Sequence, residues 1–481
     1  MKKILFYNWI QFDEKEGKGG GVTIYIKNLI RYIIKRSEWE ITFLSSGRAY
    51  DLINRKPRIR MTSNIYSKMC SSYEIVNSPV FSSAKLSFSF PKTYLKDESL
   101  LVLMKDFIES KGGFDVIHFQ NFEGLSASVF RLKEFFPETK FIYSLHNYYL
   151  FCPQVMLWRN DRTNCELEHC GKECFECMPK DVYACKVRLN RYVDRKIESG
   201  DKSYRGLKVI KKISAYIAEA ITERRYFTDS QITYYGKYFR YFEKRNVSFL
   251  NKYMDTILAV SDRVKEIAVY KGVTPKKLIL SYIGTEVAEK QVESQRKEYD
   301  GTVLNVCYLG HMRTMKGFYF LLDAFESMPS WMCAKVGLVI ASPNTDKKAF
   351  VRINNLRSRF ASVSYYDGYS HDDLDKILCN VHLGIVPPLW EDNLPQVAIE
   401  MKAKGIAVLA SDLGGAKELS SAMEFVFKAG DRKDFYSKLS SLIKNPLILD
   451  EYWKNQMKLM TMEEHLKQLD EIYSKKEGKS Y

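Results

Sequence analysis

The sequence predicts an α/β protein that contains two Rossmann-like units, each built on a doubly wound parallel sheet. Two observations support this fold class. Short apolar runs alternate with helix-like segments along most of the chain, as in parallel strands joined by helical crossovers. The chain has 481 residues, of which 46% are hydrophobic and 27% charged. This length and composition suit two globular domains of about 200 residues each.

The first unit opens with a strand, a glycine-rich loop and a helix. The apolar segment KILFYNW predicts the strand, a charged loop ends in Gly19-Gly20-Gly21, and the apolar pattern of a helix begins at Val22. This arrangement lets the backbone amides of the loop approach a phosphate. The G-x-G-x-x-G spacing of a dinucleotide site is missing, so a flexible turn is the alternative interpretation of the three glycines.

Two later strands of this unit end in histidines. FDVIHFQN (114–121) contains His118, and KFIYSLHNYYLFCP (140–153) contains His146. The carboxyl ends of parallel strands border the crevice in which such sheets bind ligands, so both side chains are candidate site residues. A partly buried imidazole with a structural role is the alternative for each.

Residues 389–419 contain the most informative pattern of the second unit. Asp392 and Glu400 are separated by seven residues around an Asn-Leu-Pro turn. Pro395 suits the first turn of a helix that Gly405 would end. The apolar run IAVLAS predicts a buried strand, and Asp-Leu-Gly-Gly predicts a turn into another helix.

This pattern suits a nucleotide sugar. One acid precedes the helix and the other lies two turns inside it. The amides of residues 393–396 lie between them, where they can bind an anion. The carboxylates would accept hydrogen bonds from sugar and ribose hydroxyls, while the amides would bind a diphosphate. The spacing alone fits an ordinary amphipathic helix with an acidic N-terminus equally well.

A basic loop opens the second unit. VLNVCYLGHMRTMKGFYFLLDAF predicts a strand, a loop that contains His311, Arg313 and Lys316, and an amphipathic helix. A cation that is hydrogen-bonded to a phosphate contributes about 1.5 to 3 kcal/mol, so this loop is a candidate for holding a diphosphate. A solvated surface lysine is the alternative interpretation of Lys316.

Both stretches resemble the family 4 glycosyltransferases, which are retaining enzymes with the GT-B fold, two Rossmann-like domains that face a central cleft. The acidic stretch resembles the E-x7-E signature of that family and its G-G motif. The residues in register are Glu400, Met401, Gly405, Val408, Ser411, Gly414, Gly415 and Glu418. The first acid of the signature falls on Asp392, and Glu391 is one position out of register. The basic loop resembles G-R-x-x-x-x-K-G, where Lys316 and Gly317 match and His311 takes the place of the arginine.

The resemblance is strongest over residues 303–445, and it also covers 1–45, 112–153 and 256–285. FDVIHFQN resembles the family's D-V-I-H-x-H motif, and the glycine loop resembles the loop that approaches the donor phosphate. The sequence Tyr-Ile-Gly-Thr at 282–285 is similar to a variant found in bacterial capsule and surface-polysaccharide transferases.

The resemblance implies roles for particular residues. The catalytic residues would be His118, Asp392, Lys316 and Arg313, with Arg313 substituting for the missing arginine. The donor-binding residues would be Gly20, Gly21, Gly310, His311, Asn393, Leu394, Pro395, Gln396 and Glu400, and His146 would face the acceptor. Cations and helix amides would neutralise the diphosphate, so we expect no metal cofactor in catalysis.

The resemblance also implies the domain organisation and the activity. Residues 1–285 would form the acceptor-side domain, with a Cys-rich and basic insert at about 150–250. Residues 286–450 would bind the donor, and residues 451–481 would form a helix that crosses back to the first domain. The predicted activity is retaining transfer of a sugar from a nucleoside-diphosphate donor, of UDP or GDP type, to a lipid-linked glycan in surface-polysaccharide biosynthesis. The alternatives are a non-catalytic nucleotide-sugar-binding module of the same fold, and a phosphorylase or hydrolase.

The net charge of +16 is concentrated in the first half of the chain, because residues 1–250 carry 42 Lys and Arg against 28 Asp and Glu. An anionic membrane surface, a nucleic acid and no partner at all are the three interpretations. The membrane suits a lipid-linked acceptor, whereas a nucleic-acid-binding protein has no use for the carboxylate pair, so we expect no nucleic acid. Without a signal-peptide pattern or a run of 18 apolar residues, we expect a cytoplasmic protein at the inner face of the cell membrane.

Six of the ten cysteines lie between residues 152 and 185, and Cys165, Cys170, Cys174 and Cys177 form a C-x4-C-x3-C-x2-C pattern. Such density in a cytoplasmic protein argues against a disulfide framework. Four thiolates on short loops suit tetrahedral zinc, so these four residues are candidate ligands of a structural zinc ion. Reduced thiols without a metal and an iron–sulfur cluster are the alternatives.

Overall fold

The computed structural model describes residues 1–14, 19–36, 38–66, 68–178, 182–198, 206, 229–289, 296–420, 422–454 and 457–474. Residues 199–205 and 207–228 of the predicted Cys-rich and basic insert, residues 290–295 after the predicted domain boundary and the end of the predicted last helix lie outside these residues.

The first domain contains an eight-stranded sheet with the order β10-β9-β6-β5-β1-β2-β4-β3. All neighbouring strands are parallel except β3, which is antiparallel to β4. The strands are β1 (Lys2–Tyr7), β2 (Trp39–Ala49), β3 (Arg58–Thr62), β4 (Cys70–Val76), β5 (Val116–Phe119), β6 (Lys140–Leu145), β9 (Thr256–Ala259) and β10 (Leu278–Leu280). A separate antiparallel pair, β7 (Trp158–Arg159) and β8 (Thr163–Asn164), belongs to the insert.

The helices of the first domain cover both faces of its sheet, as in doubly wound folds. They are α1 (Gly20–Arg36), α2 (Pro91–Lys96), α3 (Ser99–Ser110), α4 (Leu132–Phe135), α5 (Ala184–Glu198), α6 (Asp229–Tyr253) and α7 (Asp262–Tyr270). A short helix, α8 (Glu286–Glu289), follows β10.

The second domain contains a six-stranded parallel sheet with the order β13-β12-β11-β14-β15-β16. Its strands are β11 (Leu304–Leu309), β12 (Val336–Ala341), β13 (Ser362–Tyr366), β14 (Leu383–Val386), β15 (Ala407–Ser411) and β16 (Val426–Phe427). Its helices are α9 (Phe318–Ser327), α10 (Ser330–Cys333), α11 (Lys347–Asn355), α12 (Leu374–Ile377), α13 (Gln396–Ala403), α14 (Arg432–Lys444) and α15 (Leu447–Lys454).

Apolar patterning explains why these segments form sheet and helix. The central strands β1 and β11 are covered on both faces and therefore consist mostly of buried apolar residues. On α1 the buried residues recur at helical spacing, Ile26, Leu29, Ile30 and Ile33 among them, so one side of that helix packs on the sheet. One cluster of buried apolar residues contains the core of the first domain together with residues of α13. A second cluster forms the core of the second domain.

The last helix, α16 (Met462–Ser474), packs against the first domain. Its His465 Nε2 lies 2.7 Å from Tyr25 Oη on α1, and its Asp470 forms an ion pair of 2.8 Å with Arg36 at the end of α1. The chain therefore returns to the domain in which it began.

The strand order of both sheets confirms the predicted fold class of two Rossmann-like domains. In the first sheet the order around β1 is β4-β2-β1-β5-β6, and in the second the order around β11 is β13-β12-β11-β14-β15. Each order reverses direction beside its first strand, as in doubly wound nucleotide-binding folds. None of the helices in the described ranges is both long enough and apolar enough to cross a membrane.

Candidate functional site

The topology of the second sheet brings the two motifs of this domain together. The basic loop follows β11, and the acidic loop that leads into α13 follows β14. Because β11 and β14 are neighbours at the point where the strand order reverses, their loops leave in opposite directions and open a crevice between them.

A lysine and an acid meet in this crevice. Lys316 Nζ lies 2.6 Å from Asp392 Oδ2, and the lysine side chain keeps 37% of its surface exposed. The ammonium also lies 5.3 Å from the ring centroid of Trp390. At Gly317, where φ is 75°, a Cβ would lie 1.8 Å from the Pro387 carbonyl oxygen, so the tight turn after Lys316 requires glycine.

The two other basic candidates lie beside Lys316. His311 and Arg313 are both exposed, and the Arg313 amide donates a hydrogen bond of 2.8 Å to the His311 carbonyl. Desolvation and the charges of Arg313 and Lys316 lower the pKa of His311. His311 is therefore neutral near pH 7, and Lys316 and Arg313 provide the positive charge.

The Gly-Gly pair after β15 holds the acidic loop by close contact. A Cβ at Gly414, where φ is 64°, would lie 2.2 Å from the Asp392 carbonyl oxygen, and one at Gly415 would lie 2.3 Å from that of Asn393. The Gly415 amide donates to the Asp392 carbonyl at 2.8 Å, and the Gly414 amide donates to Glu391 Oε2 at 3.0 Å. These contacts fix the backbone position of Asp392.

The second acid of the signature, Glu400, lies inside α13 and is only 6% exposed. Burial raises its pKa to about 7. Near neutral pH the carboxyl group is therefore divided between its protonated and ionised forms. Hydroxyl groups of a ligand that donate to it would favour the ionised form.

The N-terminus of α13 contacts the glycine loop of the first domain. Gln396 Nε2 donates a hydrogen bond of 3.0 Å to the Gly21 carbonyl, and a Cβ at Gly21 would lie 2.8 Å from the Gln396 side chain. Pro395 is the N-cap of the helix and Leu394 is buried. The structure thus brings the predicted glycine loop to the predicted donor helix.

Several buried polar groups near the acidic loop have no hydrogen-bond partner within the described part of the chain. They are Asn393 Nδ2, Trp390 Nε1 and Tyr148 Oη. Buried donors are usually paired, so these groups are candidates for contact with a polar ligand. The Tyr148 side chain lies close to the acids, since burial and then the charges of Glu391 and Asp392 raise its pKa well above the usual value.

Ion pairs and hydrogen bonds join the two domains beside this loop. Arg263 of the first domain contacts Glu391 through Nε at 3.0 Å and Nη2 at 2.6 Å. Glu418 accepts hydrogen bonds from the amides of Asp262 and Arg263 at the start of α7 and from Tyr282 Oη. Glu391 and Glu418 therefore connect the domains, which leaves Asp392 as the acid that contacts Lys316.

The structure does not bring His118, a predicted catalytic residue, to the crevice. The side chain is fully buried, and its ring nitrogens lie 2.8 Å from Tyr473 Oη on α16 and 2.8 Å from Ser144 Oγ. Burial lowers its pKa well below the usual value. His118 thus belongs to the packing between the first sheet and the last helix.

His146 lies at the end of β6 beside the helix that follows the glycine loop. Its Nε2 is 2.8 Å from Gln120 Oε1, and its ring centroid is 5.1 Å from that of Tyr25 on α1. Burial lowers its pKa to about 3. The side chain is half-buried, and its lowered pKa makes the imidazole neutral near pH 7.

Sequence reasoning missed Tyr148, Trp390 and the contacts of Arg263 and Glu418. Trp390 directly precedes the acids, and Tyr148 follows a strand end in the segment HNYYLF. Their positions next to the recognised motifs could have identified both as candidate site residues. No local signal connects Arg263 with Glu391, because 128 residues separate them.

No three or more His, Cys, Asp and Glu side chains form a ready-made metal site in the part of the chain that the structure describes. The predicted zinc ligands lie in the insert between β6 and α5, and all ten cysteines are free of disulfides.

Comparison with known proteins agrees with this geometry. Residues 289–460 match the family described as Glycosyl transferases group 1. No curated protein matches the sequence.

Several solved structures share the fold. Sucrose-phosphate synthase from Thermosynechococcus elongatus has a TM-score of 0.57 and 14% identity, with 98% of each chain covered. The Anabaena protein HepE, solved in complex with UDP and glucose, has a TM-score of 0.52 and 12% identity, with 99% of this chain and all of the other covered. The lipopolysaccharide outer core galactosyltransferase WaaB has a TM-score of 0.55 and 12% identity, with 98% and 99% covered. The chain thus has the GT-B fold, and residues 289–460 in its second half match the group 1 glycosyltransferases.

Proposed function

We propose that the protein is a metal-independent retaining glycosyltransferase of the family 4 type. It would transfer a sugar from a nucleoside-diphosphate donor to a lipid-linked glycan in surface-polysaccharide biosynthesis. The observation that carries the proposal is the contact of Lys316 with Asp392 at the strand-order reversal of a group 1 glycosyltransferase domain. Glu400 on the adjoining helix completes the set of groups that a nucleotide sugar requires.

The donor would lie across the crevice of the second domain. Its diphosphate would contact Lys316 and Arg313 and the N-terminus of α13, where helix amides favour an anion. Its ribose would donate to Glu400, and its sugar hydroxyls would contact Asp392 and the unpartnered amide of Asn393. HepE was solved with UDP and glucose, which supports a UDP donor as the first to test, followed by GDP.

The reaction breaks the bond between the anomeric carbon of the sugar and the diphosphate oxygen. The acceptor hydroxyl forms the new bond on the same face, and its proton passes to the departing phosphate oxygen. Lys316 and Arg313 would stabilise the negative charge on the leaving diphosphate, and electrostatic stabilisation of this kind usually contributes most to the rate enhancement in such a site. Closure of the two domains would exclude water and so limit hydrolysis of the donor.

A cavity of the first domain is a candidate site for the glycan acceptor. It has a volume of about 290 Å³ beside the carboxyl ends of β1, β2 and β4, and its lining includes Trp9, Gln11, Ser46 and Arg48. An indole face with nearby amide, hydroxyl and guanidinium groups suits the apolar faces and hydroxyls of sugar rings. His146 would border the path from this cavity to the donor.

The basic side of α6 supports association with an anionic membrane. Lys237, Arg240 and Lys244 of this helix lie around an open depression together with Lys172 and the exposed Tyr241. Each Lys or Arg near an anionic surface contributes about 1 kcal/mol of attraction. This surface would bring the enzyme to its lipid-linked acceptor.

The test is a transfer assay with a panel of UDP- and GDP-sugars and a lipid-linked glycan fraction. We expect one donor to give a glycosylated product in which the anomeric configuration, read by NMR, is retained. The Asp392→Asn variant should lose at least about 100-fold in rate, while Asp375→Asn, on the exposed side of α12, should not. Binding of a nucleotide sugar without release of nucleoside diphosphate would identify a non-catalytic binding module instead.

A further inference from the structure

The insert after β6 brings four thiols around one small cavity. Its volume is about 20 Å³, and Cys152, Cys165, Cys174 and Cys177 all contribute to its lining. These residues come from three separate segments of the chain, with the spacing C-x12-C-x8-C-x2-C. A space of this size is comparable to a single ion or water molecule.

Five of the six pairs among these four thiols interact. Cys165 interacts electrostatically with Cys152, Cys174 and Cys177, and Cys174 with Cys152 and Cys177. None of them forms a disulfide. Several thiols that approach one another without bonding repel when ionised, unless a cation lies between them.

Backbone amides point at all four sulfur atoms. Cys152 accepts hydrogen bonds from the amides of Gln154 and Leu157, Cys165 from Leu167, and Cys174 from Gly171. Cys177 Sγ accepts from the Asn160 amide at 3.4 Å. Hydrogen bonds of this kind hold a potential ligand atom in position.

Cys170 differs from these four, although the sequence pattern includes it. Its Sγ donates toward the Phe151 carbonyl oxygen at 3.1 Å, and it is absent from the lining of the cavity. Its own amide donates to Glu243 Oε2 of α6 at 2.8 Å. Cys170 therefore packs the insert against α6, and its thiol lies outside the cavity, between the Phe151 carbonyl oxygen and the Cys174 thiol.

We infer that Cys152, Cys165, Cys174 and Cys177 bind one structural zinc ion, and that Cys170 is not a ligand. Zinc suits four thiolates in tetrahedral arrangement. Among the described residues, no ligand set is already assembled for a metal. The thiol side chains would therefore turn toward the ion as it binds. Such rearrangement is expected because metal binding and local folding are coupled. This site goes beyond the proposed transferase activity, and a filled four-thiolate site offers no position for substrate.

The zinc site would order a wall of the donor crevice. Asn164, which directly precedes Cys165, donates a side-chain hydrogen bond to Glu391 of the acidic loop. Lys271 Nζ donates to the carbonyl oxygens of Leu167 and Glu168 at 3.1 and 2.6 Å. The insert therefore contacts both the acidic loop and α7, and an ion that holds its loops would stabilise these contacts.

The first test is the metal content of the full chain, measured by inductively coupled plasma mass spectrometry. We expect about one zinc per chain in the wild type and in the control variants Cys170→Ser and Cys185→Ser. Cys152→Ser and Cys174→Ser should each lower the zinc content about tenfold or more. Equal loss in Cys170→Ser and Cys174→Ser, or iron with acid-labile sulfide in place of zinc, would overturn the assignment.

A second measurement needs no variant and so does not depend on how well each variant folds. The native chain is alkylated with iodoacetamide before and after treatment with a zinc chelator, and the modified cysteines are located by mass spectrometry. We expect Cys152, Cys165, Cys174 and Cys177 to be protected together and to become labelled together when zinc is removed. The exposed Cys185 should be labelled in both samples. Labelling of the four cysteines that does not change with the chelator would contradict the proposal.

Discussion

Lys316 combines a charge, a fixed position and access to solvent. The turn that ends at Gly317 holds its backbone against β14, while its ammonium contacts Asp392 and remains partly exposed. A partly exposed ion pair contributes little to stability. The diphosphate of a donor can therefore replace Asp392 as the partner of Lys316 with little loss of folding free energy. Asp392 is then available to sugar hydroxyls.

Replacement of Lys316 by alanine should therefore weaken nucleotide binding far more than it weakens the fold. We expect the affinity for the preferred nucleoside diphosphate to fall by about 1.5 to 3 kcal/mol, roughly 10- to 150-fold. Titration calorimetry measures this change, with Lys335→Ala, an exposed lysine of the same domain, as the matched control. Dissociation constants within twofold of each other for the wild type and Lys316→Ala would contradict the assignment.

Glu400 makes donor binding depend on pH. Its pKa is raised to about 7 by burial, and hydroxyl groups of a ribose that donate to the carboxylate would lower it again. Binding near pH 7 should therefore release a proton from Glu400, and affinity should rise between about pH 6 and 8.

Calorimetry in buffers of different ionisation enthalpy counts the protons released. The wild type should release more protons than Glu400→Gln when it binds the same nucleotide sugar near pH 7. The same proton count for both proteins would show that Glu400 does not titrate with the ligand.

At the scale of elements, the loop between β14 and α13 depends on the short turn after β15. Gly414 and Gly415 lie against the backbone of Asp392 and Asn393 at distances that no side chain would tolerate. Packing therefore explains the Gly-Gly motif, because it lets the turn after β15 pack directly against the loop between β14 and α13.

Gly414→Ala tests this support against a matched glycine. Gly414 and Gly430 both have positive φ, but the nearest atom to a Cβ at Gly430 is 4.0 Å away, in Leu389. Both alanine variants should lose about 1 to 3 kcal/mol of stability from backbone strain. Only Gly414→Ala should also lose nucleotide affinity, by about tenfold or more, because its Cβ displaces Asp392. Equal affinities of the two folded variants, measured by calorimetry, would show that the loop is not held in this way.

Local patterns predicted the elements of the second domain well. The proline and glycine around α13 bounded the helix to within a residue, and the apolar run after it forms β15. The position of His118 was not predictable locally, because a residue at a strand end can point to either face of a sheet. Only the tertiary structure shows that α16 covers the face on which His118 lies.

At the scale of the whole molecule, α16 closes the chain onto the first domain. It packs on α1, and its His465 and Tyr473 lie in a buried cluster with Tyr25, His118 and His146. The cluster contains three histidines whose pKa values are all lowered by burial. Contacts of this kind join residues more than 300 positions apart, and no local pattern predicts them.

These histidines should make the protein sensitive to acid. The pKa of His465 is lowered to about 4, so between about pH 6.5 and 4 the unfolded chain binds a proton that the folded chain excludes. The stability is therefore complete above about pH 6.5, and it falls with pH by about 1.4 kcal/mol per unit for each such histidine.

Urea unfolding at several pH values measures this dependence. His465→Gln should give a shallower fall of the unfolding free energy between about pH 6.5 and 4, whatever its stability at neutral pH. His169→Gln, at a more exposed position, is the control and should keep the slope of the wild type. Parallel curves for His465→Gln and the wild type would mean that His465 does not contribute to the acid sensitivity.

A calorimetric titration of the full chain with UDP, GDP, ADP and CDP tests the proposed donor site directly. We predict micromolar binding of one nucleotide, with UDP the first expectation, and loss of that binding in Glu400→Ala. This result would place the nucleotide in the crevice of the second domain. If no nucleotide binds the wild type, or if Glu400→Ala binds as tightly, the proposed donor site is contradicted.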